Sequence, residues 1–228
     1  MSSRRFGGFA GLAFIATVVP VNIILGSSGL PQAGASRSEV LAYFADHSGT
    51  VAIATALATV AWMALPMFAA GVAAAVRGHE RISGDSWSLV GLAGTVMQNA
   101  IFAGVVAIQA AVGIATLSDD VAWGLWQVHN VLFTLNTASL AIVLVSISIG
   151  GRRAGLLAGW THKLGLTAAG FLAANAALAG VTLDGHPVGL IGLAGFLMWL
   201  VWIASVSMAL LHPSGDRHGP AATPVKVA

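Results

Sequence analysis

Long apolar segments separated by short gaps are the feature that most constrains this chain. A helix that crosses a bilayer needs about 20 predominantly apolar residues, and six segments meet that requirement. They lie at residues 6–25, 50–76, 87–117, 121–149, 161–183 and 188–211. The pattern predicts an all-α fold, a single polytopic transmembrane bundle of six spans that occupies residues 1–211. Residues 212–228, with their prolines and polar side chains, predict a disordered cytoplasmic tail.

The composition excludes a water-soluble globular domain. Hydrophobic residues make up 57% of the chain and charged residues only 8%, whereas an average soluble domain is about 25% charged. The net charge of +2 comes from basic residues that flank the spans. A nucleic-acid surface would instead concentrate them on one face, so no nucleic-acid partner is expected. The chain has no cysteine, which excludes disulfides, thiol catalysis and thiolate metal sites.

The distribution of lysine and arginine predicts the orientation of the spans. Nine of the ten basic residues lie before the first span, around alternate gaps, or after the last span, and Arg37 alone lies in an opposite gap. The nine are Arg4, Arg5, Arg77, Arg81, Arg152, Arg153, Lys163, Arg217 and Lys226. Cytoplasmic loops of membrane proteins carry the excess of basic residues. We therefore expect a bacterial plasma-membrane protein with both termini in the cytoplasm.

The amino terminus has an alternative interpretation as a cleaved signal peptide. Arg4 and Arg5 precede an apolar run, and Ala33-Gly34-Ala35 has the form of an A-x-A cleavage site. Against this, the run of about 20 residues is longer than the 7–15 of a signal core, and Ala33 lies well beyond its end. Cleavage would leave five spans.

The longest external gap, residues 26–49, contains signals for a short helix. Ser36 and Glu39 have the S-x-x-E spacing of a capping box, in which each side chain satisfies an exposed backbone N–H. Val40, Leu41 and Phe44 follow at helical spacing. The sequence predicts an interfacial helix near residues 38–47 on the outer membrane surface.

Polar side chains inside the spans are costly and are the candidates for a site. Gln109 and His129 lie at similar distances on either side of the turn at Asp119, and Asn175 lies nine residues before Asp184. If each span is continuous, these residues share one layer in the outer half of the bundle. The predicted ligand-binding residues are Gln109, His129, Asn130, Asn175 and, above them, Asn22.

Two interpretations of this layer are open. Amides within a membrane commonly hydrogen-bond between helices, worth about 0.6 kcal/mol on average. The functional alternative is a cavity, open to the outside, that binds a lipid or another small hydrophobic molecule. We expect no metal or cofactor, because His129 is the only histidine well inside a span and no thiolate or carboxylate accompanies it.

The chain is not expected to be an enzyme, because it lacks the G-x-S-x-G and H-E-x-x-H motifs and paired intramembrane aspartates. Three functions remain as hypotheses. The first is a non-enzymatic protein that binds a hydrophobic molecule, and the second is a small transporter or permease component. The third is an accessory or structural subunit of a membrane complex, with a homo-oligomer also open.

Three stretches of the sequence resemble a known family. They are the start Arg4-Arg5-Phe6-Gly7-Gly8-Phe9-Ala10-Gly11-Leu12, the segment Leu41-Ala42-Tyr43-Phe44-Ala45-Asp46-His47, and the basic break from Arg152-Arg153 to Gly165. The layout is similar to the six-span bacterial membrane proteins grouped as domain of unknown function 4386. The chain departs from that pattern at Ala158-Gly159, where a proline often precedes the tryptophan. The resemblance implies a six-span membrane fold and no established activity.

Overall fold

A computed structural model describes residues 1–212, and every regular element in that range is a helix. The helices are α1 (Ser3–Ser27), α2 (Arg37–Asp46), α3 (Ser48–Ser83), α4 (Trp87–Ile114), α5 (Asp119–Arg153), α6 (Gly159–Ala177), α7 (Ala179–Leu183) and α8 (Leu190–Leu211). A 3₁₀ turn, Pro187–Gly189, precedes α8. The predicted all-α class is confirmed for the described residues. The tail predicted for 212–228 lies, apart from His212, outside them.

Five helices are long and apolar enough to cross a membrane, which makes this a multi-pass membrane protein. They are α1, α3, α4, α5 and α8 with its preceding turn. The predicted fifth span is the exception. Its residues form α6, which ends at Ala177, and the separate five-residue α7. The expected continuous helix over 161–183 is therefore wrong, because the backbone turns at Leu178 (φ −95°, ψ 20°).

The long helices pack side by side in a closed ring. Helix α1 contacts α3, α3 contacts α4, α4 contacts α5, α5 contacts α6, α6 contacts α8, and α8 returns to α1. Apolar side chains fill the centre, among them Phe68 and Trp202, whose rings meet edge to face at 6.3 Å. Because α6 closes the ring between α5 and α8, it is an integral member of the bundle.

Small residues allow the closest helix contacts. A Cβ atom built on Gly7 of α1 would lie 2.5 Å from the Cα of Gly71 in α3, and the converse is equally close. The backbones of α1 and α3 therefore touch, as is common for helices that associate in lipid. Gly165 of α6 similarly lies against Ser148 and Trp202, where the indole Nε1 donates a 3.1 Å hydrogen bond to the Ser148 hydroxyl.

Contacts between distant residues define two ends of the bundle. At one end, the Arg4 side chain donates to backbone carbonyls of Ala209 and Leu210, so α1 begins where α8 finishes. Arg153, at the end of α5, forms a 3.0 Å ion pair with Asp85, between α3 and α4. We call this the basic end. Its lysine and arginine residues are Arg4, Arg5, Arg77, Arg81, Arg152, Arg153 and Lys163.

The opposite end carries most of the acidic residues, and we call it the acidic end. Here Arg37 of α2 pairs with Asp120 of α5 at 2.6 Å. Gly34 lies against Gly185, which follows α7. Helix α6 starts near the basic end, where His162 Nδ1 lies 3.0 Å from the carbonyl oxygen of Ser148. Between residues 159 and 185 the chain therefore runs from the basic end to the side of the bundle where Gly34 lies.

Candidate ligand-binding site at the acidic end

Helix α2 begins with the predicted capping box. The Glu39 backbone N–H donates to the Ser36 hydroxyl at 3.3 Å, and the Ser36 N–H donates to the Glu39 carboxylate at 2.8 Å. The predicted helix near 38–47 is confirmed, with bounds Arg37–Asp46. Hydrogen bonds from the Ser36 backbone N–H and hydroxyl lower the pKa of Glu39 below its ordinary value.

Helix α2 is fixed to the bundle by its buried face. The Tyr43 hydroxyl lies 2.7 Å from that of Ser28, at the end of α1. Phe44 meets Trp126 of α5 edge to face at 5.3 Å. These residues belong to a small apolar cluster separate from the main core: Val40, Tyr43, Phe44, Val51, Val112, Ala122 and Trp126. Burial of this face, together with the Arg37–Asp120 ion pair, holds α2 across the acidic end.

A pocket of about 280 Å³ lies between α2, the end of α4 and the start of α5. Its lining consists of Leu41, Phe44, Ala45, Ser48, Val112, Gly113, Ala115, Leu117, Asp119 and Ala122. All of these are apolar or small except Ser48 and Asp119. We refer to this space as the α2 pocket. A recess lined mostly by apolar residues, with a few polar groups, is the usual form of a small-molecule site.

A second pocket of about 330 Å³ lies between α2 and the loop that precedes it. Its lining consists of Gly29, Leu30, Pro31, Gln32, Ala35, Glu39 and Tyr43. Five of these seven residues come from the loop rather than from packed helices. Sites built on helices hold a ligand more precisely than sites built on loops. The α2 pocket is accordingly the stronger candidate.

His129 is the most enclosed titratable side chain near the α2 pocket. Its imidazole is stacked on Trp126 at 4.4 Å and parallel to Phe133 at 6.2 Å. Its Nδ1 lies 3.2 Å from the amide oxygen of Asn130, and the residue is 5% exposed. Trp126 and His129 follow the pocket residue Ala122 by one and two helical turns on the same stripe of α5. His129 therefore lies below the pocket rather than in its wall.

Gln109 lies at the level of His129, as the sequence predicted. Gly104 of α4 faces Leu132 of α5, since a Cβ built there would lie 3.7 Å from that leucine. Because the two helices are antiparallel, Gln109, five residues after Gly104, faces position 127 of α5, five residues before Leu132. Position 127 is two residues from His129. That offset is about 3 Å along the axis. Both side chains are buried, at 7% and 5% exposure.

Asn175 lies at a different level, which corrects the single predicted layer. Its amide donates to the Thr137 hydroxyl at 3.4 Å. Thr137 is eight residues beyond His129 on α5, which places Asn175 about 12 Å deeper along the helix axis. The displacement arises because the turn at Asp184 lies deeper than the turn at Asp119, whereas the sequence prediction placed both turns at one level. Thr137 lies 18 residues, about 27 Å, beyond Asp119, and the nine residues from Asn175 to Asp184 span at most about 14 Å. Asn175 also packs against Gly192 of α8.

The remaining two predicted residues differ in their surroundings. Asn130 is half-buried, and its side chain pairs with His129 through the hydrogen bond described above. Asn22 is exposed, and its amide donates at 2.8 Å to the Val18 carbonyl within α1. The predicted position of Asn22 above a shared polar layer stays a prediction.

The middle of the bundle contains two buried amide oxygens without a hydrogen-bond partner. They are Oε1 of Gln98 and Oδ1 of Asn136, each in a residue 4% exposed. By contrast, the neighbouring Asn99 donates to the Trp62 carbonyl at 2.9 Å. The predicted site used residues of the outer half of the bundle and did not include Gln98, Asn99 or Asn136, although all three lie within predicted spans.

Glu80 is a buried acidic residue that the sequence interpretation missed. It is 8% exposed, and its carboxylate accepts from the backbone N–H of Ser88 at 2.7 Å and from the Ser88 hydroxyl. The predicted span stopped at residue 76, whereas α3 continues to Ser83. The sequence did set Glu80 apart, because it is the one acidic residue in the basic stretch from Arg77 to Arg81. Its carboxylate caps the first turn of α4.

Residues 1–212 contain no group of three or more histidine, aspartate or glutamate side chains arranged to hold a metal ion. Comparisons with protein-family models, with curated proteins and with solved structures find no match to this chain.

Proposed function

We propose that this chain is a six-span protein of the bacterial plasma membrane that binds a lipid or other small hydrophobic molecule in the α2 pocket. The five long apolar helices support the membrane location. The position of α6 in the ring supports a sixth crossing. Its 19 residues extend about 28 Å, close to the thickness of a bilayer's hydrocarbon core.

The two ends of the bundle support an orientation with both termini in the cytoplasm. Within residues 1–212, seven basic residues gather at the end where α1 starts and α8 finishes, and Arg37 is the only one at the other. The positive-inside rule assigns the basic end to the cytoplasm. The α2 pocket then opens at the outer surface.

The single observation that carries the binding proposal is the α2 pocket itself. Its lining residues come from α2, α4, the turn after α4, the start of α5 and the first residue of α3, and most of them are apolar residue types. Helix α2, with its own cap and ion pair, covers one side. Gln109 and His129 lie beneath it at one level, are buried, and are not part of its lining. Nothing in α2 is needed to span a membrane, so its packing over the pocket favours a binding role.

The absence of cysteine makes a direct test possible. In Ala115→Cys, the new thiol would line the α2 pocket, and in Thr116→Cys it would be exposed beside it. With protein in zwitterionic lipid nanodiscs, we expect octanol to slow maleimide labelling at position 115 and not at position 116. Equal effects at both positions, or none at either, would overturn the proposal.

A pair of filling variants makes the test sharper. Ala45→Phe would place a ring in the α2 pocket, whereas Ala42→Phe adds the same ring to an exposed position of α2 outside it. Combined with Ala115→Cys, the first should abolish the protection by octanol and the second should preserve it. Protection that survives Ala45→Phe would place the ligand elsewhere.

Membership of the domain of unknown function 4386 family is also proposed, on the resemblance of the stretches that form the start of α1 and the end of α2. Transport and an accessory role in a membrane complex stay predictions, as does a homo-oligomer.

A further inference from the structure

We infer that the ligand of the α2 pocket is a cationic amphiphile, with an ammonium group beside Asp119 and a short apolar chain between α2 and α4. The inference rests on the proposed function and names the chemical class of its ligand. It follows from the charge, the wall and the size of the pocket.

Asp119 is the only charged residue in the lining of the α2 pocket. It is exposed at the first position of α5. The nearby Arg37 pairs with Asp120 instead, at 2.6 Å, and within the described chain Asp119 has no ion-pair partner. A cation in the pocket would therefore meet a carboxylate that no side chain of the protein already neutralises.

The surrounding charges favour a cation as well. Among the residues that the structure describes, the acidic end carries one arginine, Arg37, against five carboxylates. These are Glu39, Asp46, Asp119, Asp120 and Asp184. A surface dominated by one sign of charge raises the local concentration of oppositely charged ligands.

The start of α5 is the feature that would favour an anion, because a helix N-terminus carries partial positive charge. In this protein the position is already occupied by negative groups, since Asp119 and Asp120 form the first turn. An anionic headgroup would meet both carboxylates before it reached the backbone N–H groups. The anion is therefore the less favourable occupant.

The walls and volume of the pocket define the rest of the ligand. Phe44 contributes an aromatic ring to the lining, and aromatic rings attract ammonium groups. The aliphatic residues Leu41, Val112 and Leu117 suit a hydrocarbon chain. A volume of about 280 Å³ is at the lower limit of small-molecule sites. The pocket suits one short chain with a small head and is too small for a phospholipid with two acyl chains.

The test compares three probes that share an octyl chain: octyltrimethylammonium, octanol and octanoate. Each is titrated against maleimide labelling of Ala115→Cys in zwitterionic nanodiscs. We expect octyltrimethylammonium to protect at about a tenfold lower concentration than octanol, and octanoate to protect least. In Asp119→Asn, octyltrimethylammonium and octanol should protect at equal concentrations. In Asp119→Glu, octyltrimethylammonium should still protect at the lower concentration.

Asp184→Asn is the matched control, because it removes the same charge from the acidic end without touching the pocket. If it reduces the preference as much as Asp119→Asn does, the effect comes from the general field and pairing with Asp119 is overturned. Equal protection by octyltrimethylammonium and octanol in the wild type, or strongest protection by octanoate, overturns the inference while hydrophobic binding stands. Protection by none of the three overturns the proposed function as well.

Discussion

Arg4 Nε donates a 3.2 Å hydrogen bond to the carbonyl oxygen of Leu210, which joins the start of the first helix to the end of the last. The final carbonyls of a helix have no partner within the helix and carry partial negative charge. Helix α8 has no basic residue in its own last turn. Arg4 supplies that cation from α1, and so helps close the ring.

Arg4→Ala is expected to lower the free energy of unfolding by about 1–2 kcal/mol, because hydrogen bonds from a charged donor are lost. The matched control is Arg5→Ala, since Arg5 is exposed and its side chain makes no comparable contact. Thermal unfolding of the purified protein in detergent measures both. Equal losses in the two variants would mean that the contact with α8 contributes nothing specific.

The contact between Gly7 and Gly71 predicts opposite effects for two substitutions in the same helix. Gly71→Ala would place a Cβ 2.5 Å from the Gly7 Cα, so α1 and α3 must separate, at a cost of about 2–3 kcal/mol. A Cβ on Gly78 meets nothing within 4 Å. Gly78→Ala should therefore stabilise α3 by about 0.5–1 kcal/mol. An unfolding temperature of Gly71→Ala equal to or above that of wild type would contradict the close packing of α1 and α3.

The buried carboxylate of Glu80 is expected to stabilise the start of α4. The N-cap residue Ser86 makes no side-chain hydrogen bond, and Glu80 accepts from Ser88 in its place. Glu80→Ala should cost about 1–3 kcal/mol, because a buried donor loses its partner. The exposed neighbour His79 provides the control, as His79→Ala should leave the unfolding temperature nearly unchanged. A small effect of Glu80→Ala would show that water replaces the carboxylate.

The Asp85–Arg153 ion pair predicts a dependence of stability on pH. The hydrogen bond from the Arg153 guanidinium lowers the pKa of Asp85 below its ordinary value. Because the pKa of Asp85 is lower in the folded than in the unfolded protein, where it is about 3.9, the ion pair stabilises the fold at pH values above about 3.9. This stabilisation is lost as the pH falls through the pKa of the folded state. The wild type should therefore unfold at a higher temperature than Asp85→Asn at neutral pH. This difference in unfolding temperature should disappear in acid. A difference that persists unchanged in acid would assign it to another cause.

Features that depend on local sequence were predictable. The capping box follows from the spacing of Ser36 and Glu39, because both partners lie within one turn. The shared level of Gln109 and His129 follows from a short turn between two continuous helices, for which counting residues gives depth. Apolar length likewise located α1, α3, α4, α5 and α8.

Features that depend on contacts between distant segments were not predictable. Leu178 carries no helix-breaking signal of its own, so the end of α6 could not be read from the sequence. The deeper position of Asn175 depends on the relative levels of the turns at Asp119 and Asp184, which no local pattern gives. The extension of α3 beyond its last apolar residues depends on Ser88 of the next helix, which satisfies Glu80. The α2 pocket has no sequence motif, because its lining comes from four helices and from the turn after α4.

Labelling of single cysteines in intact cells tests the six-span account most directly. An impermeant thiol reagent should reach Ser118→Cys and His186→Cys at the acidic end, and should not reach Ser83→Cys or Ala158→Cys at the basic end until the cells are opened. All four positions are exposed in the structure. Positions 158 and 186 lie on either side of α6 and α7 in the sequence. Labelling of Ser83→Cys in intact cells would contradict the orientation. Equal accessibility of Ala158→Cys and His186→Cys would contradict the sixth crossing.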